Sequence, residues 1–315
     1  MWLFLAVFLG LYFFRRWYRE RQTIENLRKK YVFITGCDSG FGSLLAKELD
    51  LKGMRVLAGC LTQKGAEELE KATSDRLKTT LLDVTSTESV AEAAEWVKGC
   101  VGDQGLWGLV NNAGIAMPMT PNEWLTKEDF EKIINVNLLG VIDVTLHMLP
   151  LVRKARGRVV NISSVLGRVA FFGGGYCPAK FGVEAFADSL RRELQPFGVQ
   201  VSIVEPSGFN TCVFSTVEEN MQNVWSQLSS NIKESYGQEY FVKYCRRFQD
   251  MLKGFSSNLY MVTDCLEHAL LSCHPRTRYS VGWDTKLFYI PLSYLPTSIA
   301  DYLLSSLKPE PAQAM

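Results

Sequence analysis

A chain of 315 residues is long enough for one large domain with a substantial buried core. Its formal net charge of +1 lacks the basic excess that binding to a phosphate backbone needs, so we exclude nucleic acid as a partner. The eight cysteines form no C-x-x-C pair and the three histidines show no metal-ligand spacing, so we predict reduced thiols and no metal site.

The first predicted element is an apolar N-terminal segment. Its first fourteen residues carry no charge, and a strongly basic stretch follows. A cleaved signal peptide has the opposite order, so we predict a retained membrane anchor at residues 1–18 and a basic juxtamembrane segment at 19–30. The positive-inside rule then puts the rest of the chain in the cytosol. An uncharged helix of about 21 Å is short for a bilayer, so a position within one leaflet is the alternative.

A glycine-rich loop follows the first predicted strand. Residues 31–35 are β-branched and aromatic, as in a buried strand, and residues 43–49 have a helical pattern. Between them, Gly36 can adopt positive φ, Gly40 lets a pyrophosphate approach the backbone, and Gly42 allows close packing of helix and strand. Because a helix N-terminus favours negative charge, this pattern predicts a nucleotide-binding loop, with an ordinary glycine turn as the alternative.

Strand-like and helical segments then alternate along the chain, without an internal repeat or a linker. The strand-like runs are residues 54–58, 79–82, 106–110, 157–162 and 199–204, and the helical patterns are 64–72, 86–99, 127–136 and 181–195. This alternation is typical of βαβ units. It predicts one α/β domain, a Rossmann-like doubly wound parallel sheet, at residues 31–282.

A tyrosine and a lysine lie one helical turn apart. On a helix, Tyr176 and Lys180 share a face, where the lysine charge can lower the pKa of the tyrosine from about 10 toward neutrality. Such a phenol can exchange a proton with an alcohol or a carbonyl near physiological pH. Pro178 lies between them and is tolerated only in the first turn of a helix, so the pair requires a helix that begins near Tyr176.

Together these motifs resemble the short-chain dehydrogenase/reductase family. The resemblance rests on T-G-x-x-x-G-x-G at 35–42, N-N-A-G at 111–114, N-V-N at 135–137 and Y-x-x-x-K at 176–180. Within the family the chain is most similar to the microsomal retinol dehydrogenases and the related 3α/17β-hydroxysteroid dehydrogenases, through residues 31–42, 105–114, 155–161, 173–177 and 274–279. The resemblance runs from Met1 almost to the C-terminus.

The resemblance implies a role for each motif residue. Tyr176 is the implied general acid/base, Lys180 the lysine that binds the nicotinamide ribose, and Asn137 the asparagine that holds a water between that lysine and solvent. For the serine that holds the substrate oxygen, family spacing selects Ser163, whereas the local Ser-Ser-x-x-Gly pattern favours Ser164, which we prefer. The predicted substrate contacts are therefore Ser164 and Tyr176. The implied cofactor contacts are Thr35, Gly36, Ser39, Gly40, Phe41, Gly42, Asp83, Asn111, Asn112, Ala113, Gly114, Tyr176, Lys180 and Thr211.

The choice between NAD and NADP rests on the end of the second strand. NAD usage normally calls for an acidic residue there, to bind the ribose 2′-hydroxyl. Residues 58–61 contain no carboxylate and no arginine that would bind a 2′-phosphate, and Lys64 is the nearest cation. Asp38 in the glycine loop would repel such a phosphate. We therefore predict NAD, with NADP as the alternative.

Two segments follow the last motif. Residues 207–259 mix apolar and polar residues at helical spacing, which predicts a lid over a hydrophobic cleft or amphipathic packing on the core. Where the family has Pro-Gly after the sixth strand, this chain has Pro206-Ser207-Gly208. We therefore expect that this loop can adopt a conformation different from that of the family. Residues 283–315 include an apolar stretch broken by prolines, which predicts membrane contact or a loop packed on its own domain.

These features predict a membrane-associated enzyme that oxidises a lipophilic alcohol, with retinol and 3α/17β-hydroxysteroids as the substrates that the resemblance implies. The implied partners are that small molecule and membrane lipid, with a homodimer allowed, and the implied location is the endoplasmic reticulum membrane. The runner-up is an NADPH-dependent carbonyl reductase. A catalytically silent nucleotide-binding scaffold is disfavoured because the tyrosine, lysine and serine are all present.

Overall fold

The computed structural model describes residues 2–305 and 309–314, and for residues 2, 3, 5, 6, 9 and 12 it describes the backbone alone. Met1, residues 306–308 and Met315 belong to the predicted anchor and C-terminal segment and lie outside the described residues.

A parallel β-sheet forms the centre of the domain. Its strands are β1 (Tyr31–Thr35), β2 (Arg55–Cys60), β3 (Leu77–Leu81), β4 (Gly108–Asn111), β5 (Arg158–Ile162), β6 (Gln200–Pro206) and β7 (Arg278–Val281). Within the described residues these seven strands follow the order β3-β2-β1-β4-β5-β6-β7. The order reverses between β1 and β4, and in such sheets ligands bind at the carboxyl ends of the strands beside that reversal.

Helices cover both faces of this sheet. The α-helices of the described chain are α1 (Trp2–Glu20), α2 (Gly40–Leu51), α3 (Gln63–Lys71), α4 (Thr87–Val101), α5 (Lys127–Ile134), α6 (Gly140–Lys154), α7 (Tyr176–Leu194), α8 (Val217–Gln227), α9 (Ser230–Tyr236), α10 (Gln238–Lys253), α11 (Tyr260–Leu271), α12 (Ile290–Leu292) and α13 (Thr297–Ser305). One apolar cluster packs α2 and α11 on the sheet, and another packs α4, α6 and α7 on it. This arrangement confirms the predicted α/β fold with a doubly wound parallel sheet.

Several element boundaries differ from the sequence-based expectation. Helix α7 begins at Tyr176 and not at residue 181, and α1 continues to Glu20, beyond the predicted end of the anchor. The strand expected at 106–110 begins only at Gly108. Strand β7 was not predicted, because four residues are too few to show a periodicity.

Helix α1 exposes apolar side chains along its first part, and its end is attached to the domain. Phe4 is 82% exposed and Phe8 is 68% exposed. At the other end, the Glu20 carboxylate accepts hydrogen bonds from Arg276 at 2.5 and 2.8 Å. The backbone carbonyl oxygen of Glu20 lies 3.0 Å from His268 Nε2. The backbone that follows pairs with residues 271–273. The first part of α1 is therefore not a core helix, although its last turn has a defined position on the domain.

By length and composition, one helix within the described chain, residues 127–154, is apolar enough to cross a membrane. It joins α5 to α6 through a π-helical turn, Asn135–Leu139. Its second half packs on β4 and α4, with Val144 and Met148 buried in the apolar cluster on that face. We therefore interpret it as a core helix of the domain.

Helices α8 to α10 belong to a third apolar cluster, which is rich in aromatic side chains. The Trp124 ring centroid lies 5.0 Å from that of Trp225 and 5.8 Å from that of Tyr240. The hydroxyl of Tyr244 donates to the carbonyl oxygen of Met119 at 3.0 Å. The segment expected at 207–259 is therefore helical, and it packs on the loop that follows β4.

A buried ionic cluster ties α7 to the sheet. Glu205, which is 1% exposed in β6, accepts hydrogen bonds from Arg278 at 3.0 Å and from Arg168 at 3.2 Å. Arg278 also pairs with Glu184 and with Asp188 on α7. Glu205 thus links β6 directly to the segment that follows β5, and through Arg278 to α7.

We expect Glu205→Ala to lower the free energy of unfolding by about 3 kcal/mol, since it leaves two partly buried guanidinium groups without this partner. Thermal unfolding of the purified protein should show the loss as a fall of several degrees in Tm. Glu95→Ala is the control, because Glu95 pairs with Lys98 on the exposed surface of α4 and its removal should change stability by less than about 1 kcal/mol. Equal effects of the two substitutions would contradict this account.

Candidate active site

The glycine loop after β1 forms one wall of the site. Gly36 has a φ of +69°, and a Cβ there would lie 2.7 Å from the Cα atom of Ala113, so the two backbones meet more closely than a side chain permits. Helix α2 begins at Gly40, and its N-cap residue Ser39 makes no side-chain capping hydrogen bond. The first-turn N–H groups are therefore without a side-chain acceptor and are suited to bind a phosphate.

The ends of β1 and β4 are held together behind this loop. Thr35 Oγ1 accepts hydrogen bonds from the backbone N–H groups of Asn112 and Ala113, both at 3.0 Å. Asn112 Nδ2 in turn donates to the carbonyl oxygens of Thr35 at 2.8 Å and Gly36 at 2.9 Å. These bonds fix the nucleotide loop and the Asn-Asn-Ala-Gly segment relative to each other.

A cavity of about 600 Å³ opens at the carboxyl ends of these strands. The predicted residues that line it are Gly36, Ser39, Gly40, Phe41, Asp83, Asn112, Ala113, Gly114, Ser164, Tyr176, Lys180 and Thr211. The structure therefore brings together residues that are up to 175 positions apart in the sequence, from Gly36 to Thr211. The other predicted residues, Thr35, Gly42, Asn111 and Asn137, lie behind the wall.

Residues behind the wall hold it in place through buried hydrogen bonds. Asn111 Nδ2 donates to Asn161 Oδ1 at 2.7 Å, between β4 and β5. Asn137 lies in the π-helical turn, where its Nδ2 donates to the carbonyl oxygen of Ile115 at 2.7 Å and its Oδ1 accepts from the Ile115 N–H at 2.9 Å. Both polar atoms of the Asn137 side chain are therefore engaged with the loop that follows β4.

Tyr176 and Lys180 stand on one face of α7, beside the end of β5. Lys180 Nζ lies 5.6 Å from the centroid of the Tyr176 ring and donates to the carbonyl oxygen of Ile162 at 2.8 Å. An ammonium group has three donors, so two more N–H groups of Lys180 are available to ligand hydroxyls. Because α7 begins at Tyr176, residues 176 and 180 are both helical and lie one turn apart on the same face.

Burial shifts both titrations toward the neutral forms. It raises the pKa of Tyr176 to about 12, and the hydrogen bond with Ser164 opposes this shift. It also lowers the pKa of Lys180 to about 8. The sequence had indicated that the lysine would bring the pKa of the tyrosine toward neutrality. In this structure desolvation outweighs that effect, because both groups lie in an apolar environment.

The two candidate serines have different surroundings. Ser164 caps the turn that follows β5, accepting from the Leu166 N–H at 3.2 Å and donating to the carbonyl oxygen of Pro206 at 3.4 Å, and it is the serine whose side chain opposes the rise in the pKa of Tyr176. Ser163 Oγ donates instead to the carbonyl oxygen of Lys180 at 3.3 Å, against the backbone of α7. The geometry thus favours Ser164 as the hydroxyl beside the phenol.

Asp38 brings a carboxylate to the end of β2 from a different part of the chain. Its Oδ2 accepts from the Leu61 N–H at 2.8 Å, and its Oδ1 accepts from the N–H and the hydroxyl of Thr62 at 2.9 and 2.7 Å. Sequence reasoning found no acidic residue in this strand and expected Asp38 of the glycine loop to repel a nearby phosphate, but it did not predict these contacts with Leu61 and Thr62. Contacts of this kind depend on how the loop folds across the strand, so no local pattern reveals them.

Much of the rest of the cavity wall is apolar, and most of these apolar residues were not predicted. Phe171 and Phe172 follow β5, with ring centroids 4.3 Å apart, and Tyr289 stacks on Phe171 at 5.9 Å. Met251 and Phe255 close the wall from the end of α10. These side chains come from distant segments, and only the apolar composition of residues 207–259 hinted at them.

The displaced glycine after β6 also has a defined position. A Cβ at Gly208 would collide with the ring of Phe255, so the loop and the end of the helical segment are in close contact. The backbone of Ser256 donates to the Gly208 carbonyl oxygen at 3.0 Å and accepts from the Asn210 N–H at 2.9 Å. Thr211 then lines the cavity near Gly40.

Comparison with known proteins places this site in a family. The sequence profile of the short chain dehydrogenase family matches residues 30–222. The chain is 60% identical to human retinol dehydrogenase 16 and 62% identical to human 17-beta-hydroxysteroid dehydrogenase type 6, in each case over 317 aligned residues that cover 100% of both chains. The crystal structure of a short-chain dehydrogenase from Streptomyces avermitilis is similar, with a TM-score of 0.67, 25% identity and coverage of 88% of this chain and 95% of that one.

The rate of turnover should depend on pH through the protonation of Tyr176 and Lys180. Tyr176 and Lys180 titrate as a coupled pair, and we expect the first proton to leave near the pKa of about 8 at Lys180. The deprotonated pair includes the phenolate–ammonium form that alcohol oxidation needs. kcat/KM for oxidation should therefore rise with pH through this region, whereas that for carbonyl reduction should fall.

Ser164→Ala removes a hydrogen bond that favours the phenolate, so its rising limb should move to higher pH and its rate should fall by about 10²–10³. Ser163→Ala is the matched control, and we expect its limb to stay in place, with less than about a tenfold loss of rate. The opposite pattern would assign the catalytic hydroxyl to Ser163.

Proposed function

Because the chain belongs to the short-chain dehydrogenase family, it is an NAD(P)-dependent oxidoreductase, and we propose that it oxidises a lipophilic alcohol by hydride transfer to NAD. The proposed substrates are retinol and 3α- or 17β-hydroxysteroids. The observation that carries this proposal is the position of Tyr176, Lys180 and Ser164 in one cavity, with a phosphate-binding loop and an apolar aromatic wall around them.

The residues of the glycine loop fit a dinucleotide. The uncapped N-terminus of α2 offers backbone donors for a pyrophosphate, and Gly36 and Gly40 have φ values of +69° and +60°. Asp83 and Asn112 line the same part of the cavity. A nicotinamide dinucleotide held by these residues would supply the hydride acceptor for the carbinol carbon.

Proton transfer is the task of the side chains on α7 and after β5. We propose that Ser164 holds the substrate oxygen while Tyr176 takes the hydroxyl proton. The ammonium group of Lys180, held by Ile162 O, stabilises the phenolate and has donors free for ribose hydroxyls. Charge formed on the phenolate is strongly stabilised by Lys180 because the surrounding side chains exclude water.

The chemistry of the wall supports a lipophilic substrate. The cavity has an apolar surface that suits a polyene or a fused-ring skeleton, formed by Phe171, Phe172, Met251 and Phe255. Relatives at about 60% identity are named as retinol and 17-beta-hydroxysteroid dehydrogenases, and this supports both substrate classes.

Charge at the end of β2 supports NAD. Asp38, Asp83, Lys180 and Asp284 are the charged residues among the described lining of the cavity, and Lys180 already donates to Ile162. An additional 2′-phosphate would lie near the Asp38 carboxylate, and like charges at close range oppose binding.

Exposed apolar surface supports a membrane location. Helix α1 is about 29 Å long in all, and its uncharged first part, about 20 Å long, is shorter than the hydrocarbon core and leads into a basic stretch. In the C-terminal segment, Trp283 is 75% exposed and Leu287 is 72% exposed, whereas Tyr289 in the same helical stretch lines the cavity. We propose that residues 1–18 anchor the enzyme in the endoplasmic reticulum membrane with its domain in the cytosol. In this proposal residues 283–315 touch the bilayer, so that substrate enters from lipid.

The test of this function uses membranes that contain the full chain. All-trans-retinol and a 3α-hydroxysteroid should be oxidised with NAD, and Tyr176→Phe should lower turnover by at least about 10² because it removes the general base. Tyr260→Phe is the control, since Tyr260 is 56% exposed at the start of α11 and should leave the rate unchanged. Undiminished turnover in Tyr176→Phe would contradict the mechanism. Faster ketone or aldehyde reduction with NADPH would favour the carbonyl reductase.

Cofactor choice has its own test. Asp38→Asn removes the charge at the end of β2, so the preference for NAD over NADP, measured as the ratio of kcat/KM values, should fall by about tenfold or more. Asp83→Asn is the matched control, because Asp83 also lines the cavity but its Oδ1 accepts from the Thr85 N–H at 2.9 Å, in the turn that follows β3. A similar change in both variants would argue against Asp38 as the selective group.

A further inference from the structure

A second, basic cavity lies where α1 meets the domain. Its volume is about 490 Å³, and it is lined by Arg15, Arg16, Arg19, Glu20, Gln200, His274 and Pro275. It combines the last turns of α1 with the start of β6 and the segment before β7, so the catalytic domain contributes half of its wall.

Positive charge predominates in this cavity. Among the described residues that line it, Glu20 carries the one carboxylate. That carboxylate is already engaged, because its Oε1 accepts from Arg16 at 2.9 Å and from Arg276 at 2.8 Å, and its Oε2 accepts from Arg276 at 2.5 Å. Arg15 and Arg19 add two more guanidinium groups, so the lining keeps a net positive charge.

The neutral side chains of the lining also present donors. Arg19 Nη2 lies 3.2 Å from His274 Nδ1, and a guanidinium can only donate, so Nδ1 accepts and the imidazole proton is left on Nε2. Gln200 Oε1 accepts a hydrogen bond from Arg158 at 2.8 Å, so the amide nitrogen of Gln200 is available to donate to a ligand. Guanidinium, imidazole and amide N–H groups together form a set that suits an oxyanion such as a phosphate.

We propose that this cavity binds the phosphate of an anionic phospholipid head group. The proposal rests on the membrane anchor proposed above, because the exposed apolar part of α1 leads directly into the cavity and would put it at the depth of the head groups. Since Gln200 and His274 belong to the catalytic domain, the bound head group would also fix the orientation of that domain on the bilayer. A free phosphate has the same binding chemistry and is separated from the lipid by the experiment.

The experiment measures binding, not turnover, so that it stands apart from the test of the enzymatic proposal. The purified full chain in neutral detergent micelles is titrated with phosphatidylserine, with phosphatidylcholine or with inorganic phosphate, and Tm is followed. Phosphatidylserine at a hundredfold excess over its Kd should raise Tm by about 5 °C. Phosphatidylcholine and inorganic phosphate should give much smaller shifts.

Variants locate the site. Arg15→Gln and Arg19→Gln should each weaken phosphatidylserine binding by about fivefold. Lys29→Gln makes the same charge change in the same basic segment but outside the cavity lining, and should retain the affinity within about twofold. Arg15 has no hydrogen bond to the domain among those described, so an unchanged Tm of unliganded Arg15→Gln shows that the fold is intact. Equal losses in Lys29→Gln, an equal shift with inorganic phosphate, or no shift with phosphatidylserine would each overturn the proposal.

Discussion

Backbone packing at the start of α7 fixes the position of the Tyr176 phenol, and the rest of the site depends on it. A Cβ at Gly175 would lie 2.9 Å from Ile133, so the chain reaches this point against α5 only with glycine there. Pro178 is then the third residue of the helix, where a missing N–H leaves no hydrogen bond broken. With the helix started here, Lys180 reaches the end of β5 and Tyr176 faces the cavity.

The phenol and the ammonium lie where the polar and apolar halves of the cavity meet. Desolvation raises the pKa of Tyr176 to about 12 and lowers that of Lys180 to about 8, so the protein alone keeps the phenol neutral and eases loss of the proton from the ammonium group. The hydrogen bond with Ser164 acts in the opposite direction. A site of this kind reaches its reactive form when ligands bring further charge and donors, and this couples proton transfer to occupation of both halves of the cavity.

The same fold connects the active site with the proposed membrane surface at two places. Tyr289 lines the cavity from a helical stretch whose Trp283 is exposed. At the other end, Glu20 and its partner Arg276 fix α1 on the segment before β7. Strand β7 follows this segment and pairs with β6, whose Glu205 anchors α7 through Arg278. Attachment to lipid and the position of the catalytic helix are thus linked through neighbouring strands.

The sequence by itself determined the fold class, the glycine loop and the spacing of the catalytic pair, because βαβ alternation and the i to i+4 geometry of a helix are local properties. The sequence favoured Ser164 over Ser163 without excluding either, and only tertiary structure decided how Asp38 contacts the end of β2 and which aromatic side chains line the cavity. Asp38, for example, meets Leu61 and Thr62 only because the glycine loop folds across the strand. Such contacts join residues far apart in the chain. Their geometry depends on how helices, strands and loops pack together, which the hydrophobic periodicity of the sequence does not determine.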